Sequence, residues 1–293
     1  MNIASNLGPH FNSIRKRVRR ALGCLRETWT YASCRPSRQQ SFCVVTCERN
    51  AGEYVLRCLD SVYAQDYPKE SIRHILIDDH STDETPTLIH SWLEIHPDHR
   101  VEFIANPERV GGTANTIRGF SMPAAESIVL ELNGDDWLPD SEVLAFLNKV
   151  YDDEDVWMTY NTLCYPNGQV PTWAMPYPAR VVKDNAFREY PDWPSSHLHT
   201  FRQVLFGHIR PETFIDPETG EYWESADDQA IYLAMLELSA SHARHLNRVT
   251  CVYNFWESSH SYEAPKMTQE RARRIRQGKK YSPLKRLDWE KGR

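Results

Sequence analysis

From Ser41 onward the apolar positions follow two alternating rhythms. Residues 41–47 (SFCVVTC) form a short apolar run of the kind that fills a sheet. In 51–65 (AGEYVLRCLDSVYAQ), Val55, Leu59 and Val62 recur instead at the spacing of one helical face. The alternation continues with a strand at 72–78 (IRHILID) and a helix at 83–96 that starts near Thr82 or Asp83. A strand at 101–105, a helix at 112–120, a strand at 126–132, a helix at 140–151 and a strand at 156–162 complete it. Five short strands with four intervening helices predict βαβ units. The expected fold class is therefore α/β, with a doubly wound, mostly parallel, Rossmann-like sheet.

Beyond Thr162 the rhythm breaks. Residues 163–200 are rich in Pro, Trp and Tyr and predict irregular connections. Helices are expected near 200–207 and over 226–239, and a last strand over 248–255. The predicted organisation is a domain over 41–262, with a first half to 162 and an elaborated half from 163. A basic extension precedes it (1–40) and a basic tail follows (263–293). In 11–29, Phe11, Ile14, Val18, Leu22, Leu25 and Trp29 recur at helical spacing, with arginines largely elsewhere around the wheel. That pattern suits peripheral membrane contact through an interfacial helix, and equally a helix docked on its own body or a partner. The 271–293 segment predicts a poorly ordered end.

Charge sharpens this division. The formal net charge of −6 combines +7 in residues 1–40, +8 in 265–293 and −21 in between. An acidic body with basic ends predicts no nucleic-acid partner, because such binders carry their positive patch on the folded domain. No apolar run approaches the ~20 residues that cross a bilayer. The seven cysteines include no C-x-x-C pair, which argues against a disulfide framework and a zinc site. A cytoplasmic location in a reducing compartment is the expectation.

In doubly wound sheets ligands bind beyond the carboxyl ends of strands, and polar residues accumulate there: Thr46–Asn50, Asp78–Asp83, and Asn133-Gly134-Asp135-Asp136. Carboxylates gathered at one edge imply a cation, and hard oxygen ligands suit Mn2+ or Mg2+ carrying substrate phosphates. The bland alternative is caps and turns, favoured for Asp83 but not for Asp79 or Asp136.

The segments TCERNAGEYVLRCLDSVYAQDYP (46–68), ILIDDHSTDET (75–85), VGGTANTIRGF (110–120) and LELNGDDWLPD (130–140) together resemble family 2 glycosyltransferases of the GT-A fold. With later segments the resemblance covers about 41–262. It implies a nucleotide-diphospho-sugar donor, and Thr46 and Glu48 lining the nucleobase pocket, Glu48 where many relatives have Tyr. It further implies that Asp79 accepts the N3–H of a uracil. Gly111, Gly112 and Asn115 would lie along the ribose and diphosphate, Asp135 at the ribose or sugar, and Asp136 on the metal. Asn133 stands where the family has the first acid of its D-x-D stretch; it accepts a hydrogen bond and adds no charge.

The second half extends the resemblance. In YWESADDQAIYLAMLELS (222–239), Asp228 takes the place of the catalytic base beside Asp227; N-terminal capping is the competing account. SSHLHTFRQVLF (195–206) resembles the H-L-x-T-F stretch of one subgroup. His197 and His199 there are either donor or acceptor contacts or structural histidines. VYNFWESSHSYE (252–263) resembles the segment that returns a His to the metal, making His260 the candidate third ligand, with an exposed loop His as the alternative. Trp173, Tyr177, Tyr190 and Trp193 either stack on a sugar or pack the loop-rich lobe.

The implied activity is inverting transfer from a UDP-sugar to an acceptor hydroxyl, saccharide or lipid-linked, in polysaccharide or glycoconjugate synthesis. A nucleotidyltransferase or a hydride-transferring enzyme would need a Gly-rich loop after the first strand, which TCERNAG lacks. The remaining alternative is a catalytically inactive glycosyltransferase-like binding protein, supported by Asn133 alone.

Overall fold

A computed structural model describes Gly23, Glu27, Thr30, Tyr31, residues 34–98, 100–195, 197–254 and 265–288. The candidate ligand His260, and all of 11–29 except Gly23 and Glu27, lie outside the described residues.

The first half follows the predicted alternation. Strand β1 (Phe42–Glu48) leads through α1 (Tyr54–Tyr63) to β2 (Ile72–Asp78), then α2 (Thr85–Ile95), β3 (Val101–Ala105), α3 (Gly112–Ser121), β4 (Ile128–Glu131), α4 (Val143–Tyr151) and β5 (Met158–Cys164). Next come α5 (Ala179–Lys183), β6 (His199–Arg202), α6 (Gln203–Phe206), α7 (Asp227–Ser239), β7 (Ala243–Val252) and α8 (Pro265–Gln277). Among the described residues seven strands form one sheet in the order β3-β2-β1-β4-β6-β5-β7. β1 pairs in parallel with both β2 and β4, so the chain order reverses at β1, the position at which such sheets form a ligand crevice at the strand ends.

Alternation along β1 sorts its side chains between two cores. Phe42 and Val44 pack with α1 and α4, while Cys43 and Val45 pack on the other face with α6 and α7. The sheet is mixed at one point, and this corrects the sequence expectation. The segment near 200–207, read as a helix, begins as β6, antiparallel to both β4 and β5. Thr200 fixes it, its hydroxyl 2.8 Å from Tyr151 Oη and 2.6 Å from Thr159 Oγ1. The Arg202 side chain, almost wholly buried, donates to the carbonyls of Val156, Tyr151 and Asp153. Only Gln203–Phe206 is helical, a single turn.

The tail differs from expectation too. Instead of a poorly ordered end, α8 and the stretch after it pack on the body, burying Ile275, Tyr281 and Leu287. Arg188 and Glu237 join them from beneath: Arg188 Nε donates to Glu237 Oε1 at 2.8 Å, and Tyr281 N–H donates to Glu237 Oε2 at 3.0 Å. At the other end, Glu27 accepts the backbone N–H groups of Asn247 (2.7 Å) and Arg248 (3.0 Å). Tyr31 packs edge-on against Phe146. These residues of the N-terminal extension dock on the body.

Candidate active site

At the crevice three chain segments converge. The first is the end of β1 and β2. Thr46 is fully buried, its hydroxyl 2.8 Å from His74 Nε2. Strand alternation turns its side chain toward the core on the α1 side. Glu48 lies beside Asp78. Burial, reinforced by that carboxyl, pushes Glu48 up to about 10, so it is a neutral acid at pH 7. Asp79 does the opposite. Burial alone would raise it, but hydrogen bonds from Val110 N (2.8 Å), Gly111 N (3.0 Å) and the Asn106 amide (3.2 Å) hold it below the usual carboxylate range. Asp79 thus anchors the loop that leads into α3. Gly111, at φ 92°, makes the turn, no side chain caps the helix, and the space where Cβ atoms of Gly111 and Gly112 would stand is open. Free backbone N–H groups at such an end suit a phosphate. Asn115 is buried just inside, accepting from the Asn106 amide at 2.8 Å.

The second segment follows β4. Asn133 and Asp135 are partly exposed. Gly134 is required, since a Cβ there would come 2.4 Å from Glu48 Cβ. Asp136 is buried; its Oδ1 accepts Asn254 N–H at 2.8 Å, and Oδ2 has no hydrogen-bond partner. Burial, then the neighbouring Asp135 charge, raises it well above the ordinary value.

The third segment is the N-terminus of α7. Asp227 and Asp228 stand in its first turn, and Trp193 Nε1 donates to Asp228 Oδ2 at 3.0 Å. Burial pushes Asp227 to about 6, helped by Glu131. Burial and then Asp227 push Asp228 to about 7. Capping alone would lower both; their rise makes Asp228 a group that changes charge near neutrality, as a base must. Of the other aromatic candidates, Tyr177 is buried against Tyr160, Phe187 and Tyr190, and Trp173 is exposed.

Between the second and third segments lies a group that the sequence reading missed in part. Glu131, at the end of β4, faces His199 across the β4–β6 ladder. Tyr232 Oη donates to Glu131 Oε2 at 2.7 Å, and its ring stacks on His199 at 3.5 Å. His199 is almost fully buried, whereas His197 and Glu131 are partly exposed. His197, partly exposed, stacks on Tyr253. Burial keeps both imidazoles neutral, His197 at about 4 and His199 at about 3, and raises Glu131. The signal for Glu131 was available: a lone acid within the apolar run IVLEL, where a charge is retained only for a partner or a function.

A mostly parallel sheet with acids and a capless helix end at its switch point is the architecture of the GT-A fold. The chain belongs to glycosyl transferase family 2, whose profile matches residues 41–201. No curated protein matches the chain. Among solved structures it is similar to residues 1–349 of S. aureus TarS in complex with UDP-GlcNAc, with a TM-score of 0.62 and 20% identity over 80% of this chain. The match spans 65% of that TarS chain. It is also similar to the mannosyltransferase PcManGT from Pyrobaculum calidifontis in complex with GDP-Man and Mn2+, with a TM-score of 0.58 and 20% identity, covering 92% of this chain and 76% of that one. At these identities the likeness establishes the fold.

Proposed function

We propose that the chain transfers a sugar, with inversion at the anomeric carbon, from a UDP-sugar to an acceptor hydroxyl in polysaccharide or glycoconjugate synthesis. One observation carries the reading: Asp228 stands in the first turn of α7 beside Asp227, held by Trp193 Nε1 at 3.0 Å, where burial pushes its carboxyl up. In the step, the acceptor oxygen attacks the anomeric carbon as its proton passes to Asp228. The bond from that carbon to the β-phosphate oxygen breaks, and the nucleoside diphosphate leaves with the electron pair. Such base assistance contributes roughly 10²–10⁴ in rate. The diphosphate would lie along Gly111 and Gly112 at the open end of α3. Asp79 would present the base-recognising loop, Asp135 would meet the ribose or sugar, and Glu48 and Asn115 would line the donor cleft.

The residues fit a hard divalent cation. Asp136 keeps an oxygen without a hydrogen-bond partner, next to Asp135, and both offer oxygen alone. Asp136 and Asp135 would hold Mn2+ or Mg2+, with Asn133 adjacent and adding no charge. When bound, such an ion neutralises charge developing on the departing diphosphate. That PcManGT is described with GDP-Man and Mn2+, and TarS with UDP-GlcNAc, supports both the metal and the donor class. We place this activity in a reducing, cytoplasmic setting. No helix among the described residues is long and apolar enough to cross a membrane. A saccharide or lipid-linked acceptor fits this arrangement.

The test is a screen of UDP- and GDP-sugars with Mn2+, reading nucleotide release and, by NMR, product configuration. UDP-sugar turnover with inverted product is expected. Metal-independent release or retained configuration would overturn the mechanism, and no release from any donor would leave a binding protein.

A further inference from the structure

Two families of ligand atoms lie in this cleft. Asp135 and Asp136 offer only oxygen. Near them, Glu131, His197 and His199 bring a carboxylate oxygen and two imidazole nitrogens within 4.8 Å of one another. We propose that this second group is a separate metal site, which takes a zinc-class divalent ion in the absence of nucleotide.

The geometry that points to it is a contact that fails as a hydrogen bond. His199 Nδ1 lies 3.5 Å from Glu131 Oε2 and has no hydrogen-bond partner, although His199 is 1% exposed. Leaving such an atom unmet in the interior is costly. A separation of 3.5 Å is too long for a hydrogen bond. It is close to the edge of a ligand tetrahedron, because ligands about 2.0–2.2 Å from a zinc-class ion stand roughly 3.3–3.5 Å apart.

The surroundings are those of ligands held in place. The other ring nitrogen of His199, Nε2, is 3.0 Å from Ser195 Oγ, which holds the ring and can accept from Nε2–H in the tautomer that leaves Nδ1 for the ion. Tyr232 fixes the carboxylate from one side while its ring fixes the imidazole plane. The β4–β6 ladder pairs Glu131 with His199 directly, so the backbone sets their spacing. Charge favours a cation as well. Glu131, Asp227 and Asp228 lie close together, and among the described residues no Lys or Arg forms an ion pair with any of them. Two imidazoles with one carboxylate select a borderline ion, whereas the Asp135–Asp136 oxygens suit a hard one.

The experiment is a Co2+ titration of chelator-stripped protein without nucleotide, followed by visible absorption. One saturable equivalent is expected, with the intense d–d bands of a four- or five-coordinate nitrogen–oxygen site, displaced by Zn2+. Glu131→Gln should weaken binding at least ten-fold and Ser195→Ala about 10–100-fold, while Asp135→Asn should leave it in place. No Co2+ binding without nucleotide overturns the proposal, as does a site that Asp135→Asn abolishes and Glu131→Gln spares. His199→Gln gives a further check, and thermal melts of each variant separate lost ligation from lost folding. The result stands apart from donor turnover, since the titration uses neither donor nor acceptor.

Discussion

Replacing Asp228 by Asn should move rate and stability in opposite directions. The substitution keeps shape and the contact with Trp193 but removes the proton acceptor, so transfer should fall by roughly 10²–10⁴. The stability effect follows from the carboxyl's position at about 7 in the folded chain, against an ordinary value near 3.8. A raised value means the folded state holds a proton that the unfolded state releases. The associated stability is therefore fully present below pH 4 and is lost as pH rises through 7. Between pH 5 and 8 that loss is about 3 kcal/mol for an enclosed group, and roughly 2 kcal/mol after allowance for the part of Asp228 that water reaches. The variant escapes the loss. It should thus gain about 2 kcal/mol on the wild type between pH 5 and pH 8, roughly 4 °C in melting temperature at about 2 °C per kcal/mol. Urea titrations of both proteins at the two pH values, with chelator present, measure the difference. Buried imidazoles such as His74 also titrate in this range, but they are common to both proteins and cancel. A stability gap that does not change with pH, or that shrinks toward pH 8, would refute the placement of a protonated Asp228 beside Asp227.

Three further outcomes are expected. The wild-type transfer rate should rise with pH along a limb centred near 7, because the base acts only when ionised; a limb near 4 in the pH profile would remove Asp228 from that role. Gly134→Ala would press a Cβ to 2.4 Å from Glu48 Cβ, costing about 1–3 kcal/mol and displacing Asp135. Melting curves and the donor KM should both report it, and an unchanged KM would count against Asp135 as a donor contact. Glu237→Ala leaves Arg188 buried without its carboxylate and Tyr281 N–H unmet, a loss of about 3–5 kcal/mol by chemical denaturation. A loss under 1 kcal/mol would show that the tail does not depend on this pair.

The first half was legible because each element there buries one face and repeats at a single period: Val55, Leu59 and Val62 in α1, the apolar runs in β1 and β2. β6 was not, because four residues are too few to set a period, and its apolar neighbours Leu198, Phe201 and Leu205 also satisfy helical spacing. The docking of α8 was hidden by its charge. Its arginines are satisfied by tertiary partners, Arg274 by Asp216 and Arg276 by Gln229 and the carbonyls of Arg188, Tyr190 and Asp192, which no local pattern reveals. The acids of the cleft were visible as residues at strand ends. Their division of labour was not: Asp79 bonded to a loop, Glu48 neutral and Asp228 poised near neutrality depend on hydrogen bonds and burial that arise only in the assembled fold.

The short antiparallel strand β6 has a consequence for how such a protein changes over time. A slip of one residue in its pairing would exchange the two buried faces, moving His199 and Phe201 to the side that Thr200 and Arg202 now occupy, and the Tyr151–Thr159–Thr200 hydroxyl cluster opposes that. The connector between β5 and β6 can therefore change in length before Trp193 while the strand it delivers stays in register, but Trp193 itself is tied to Asp228.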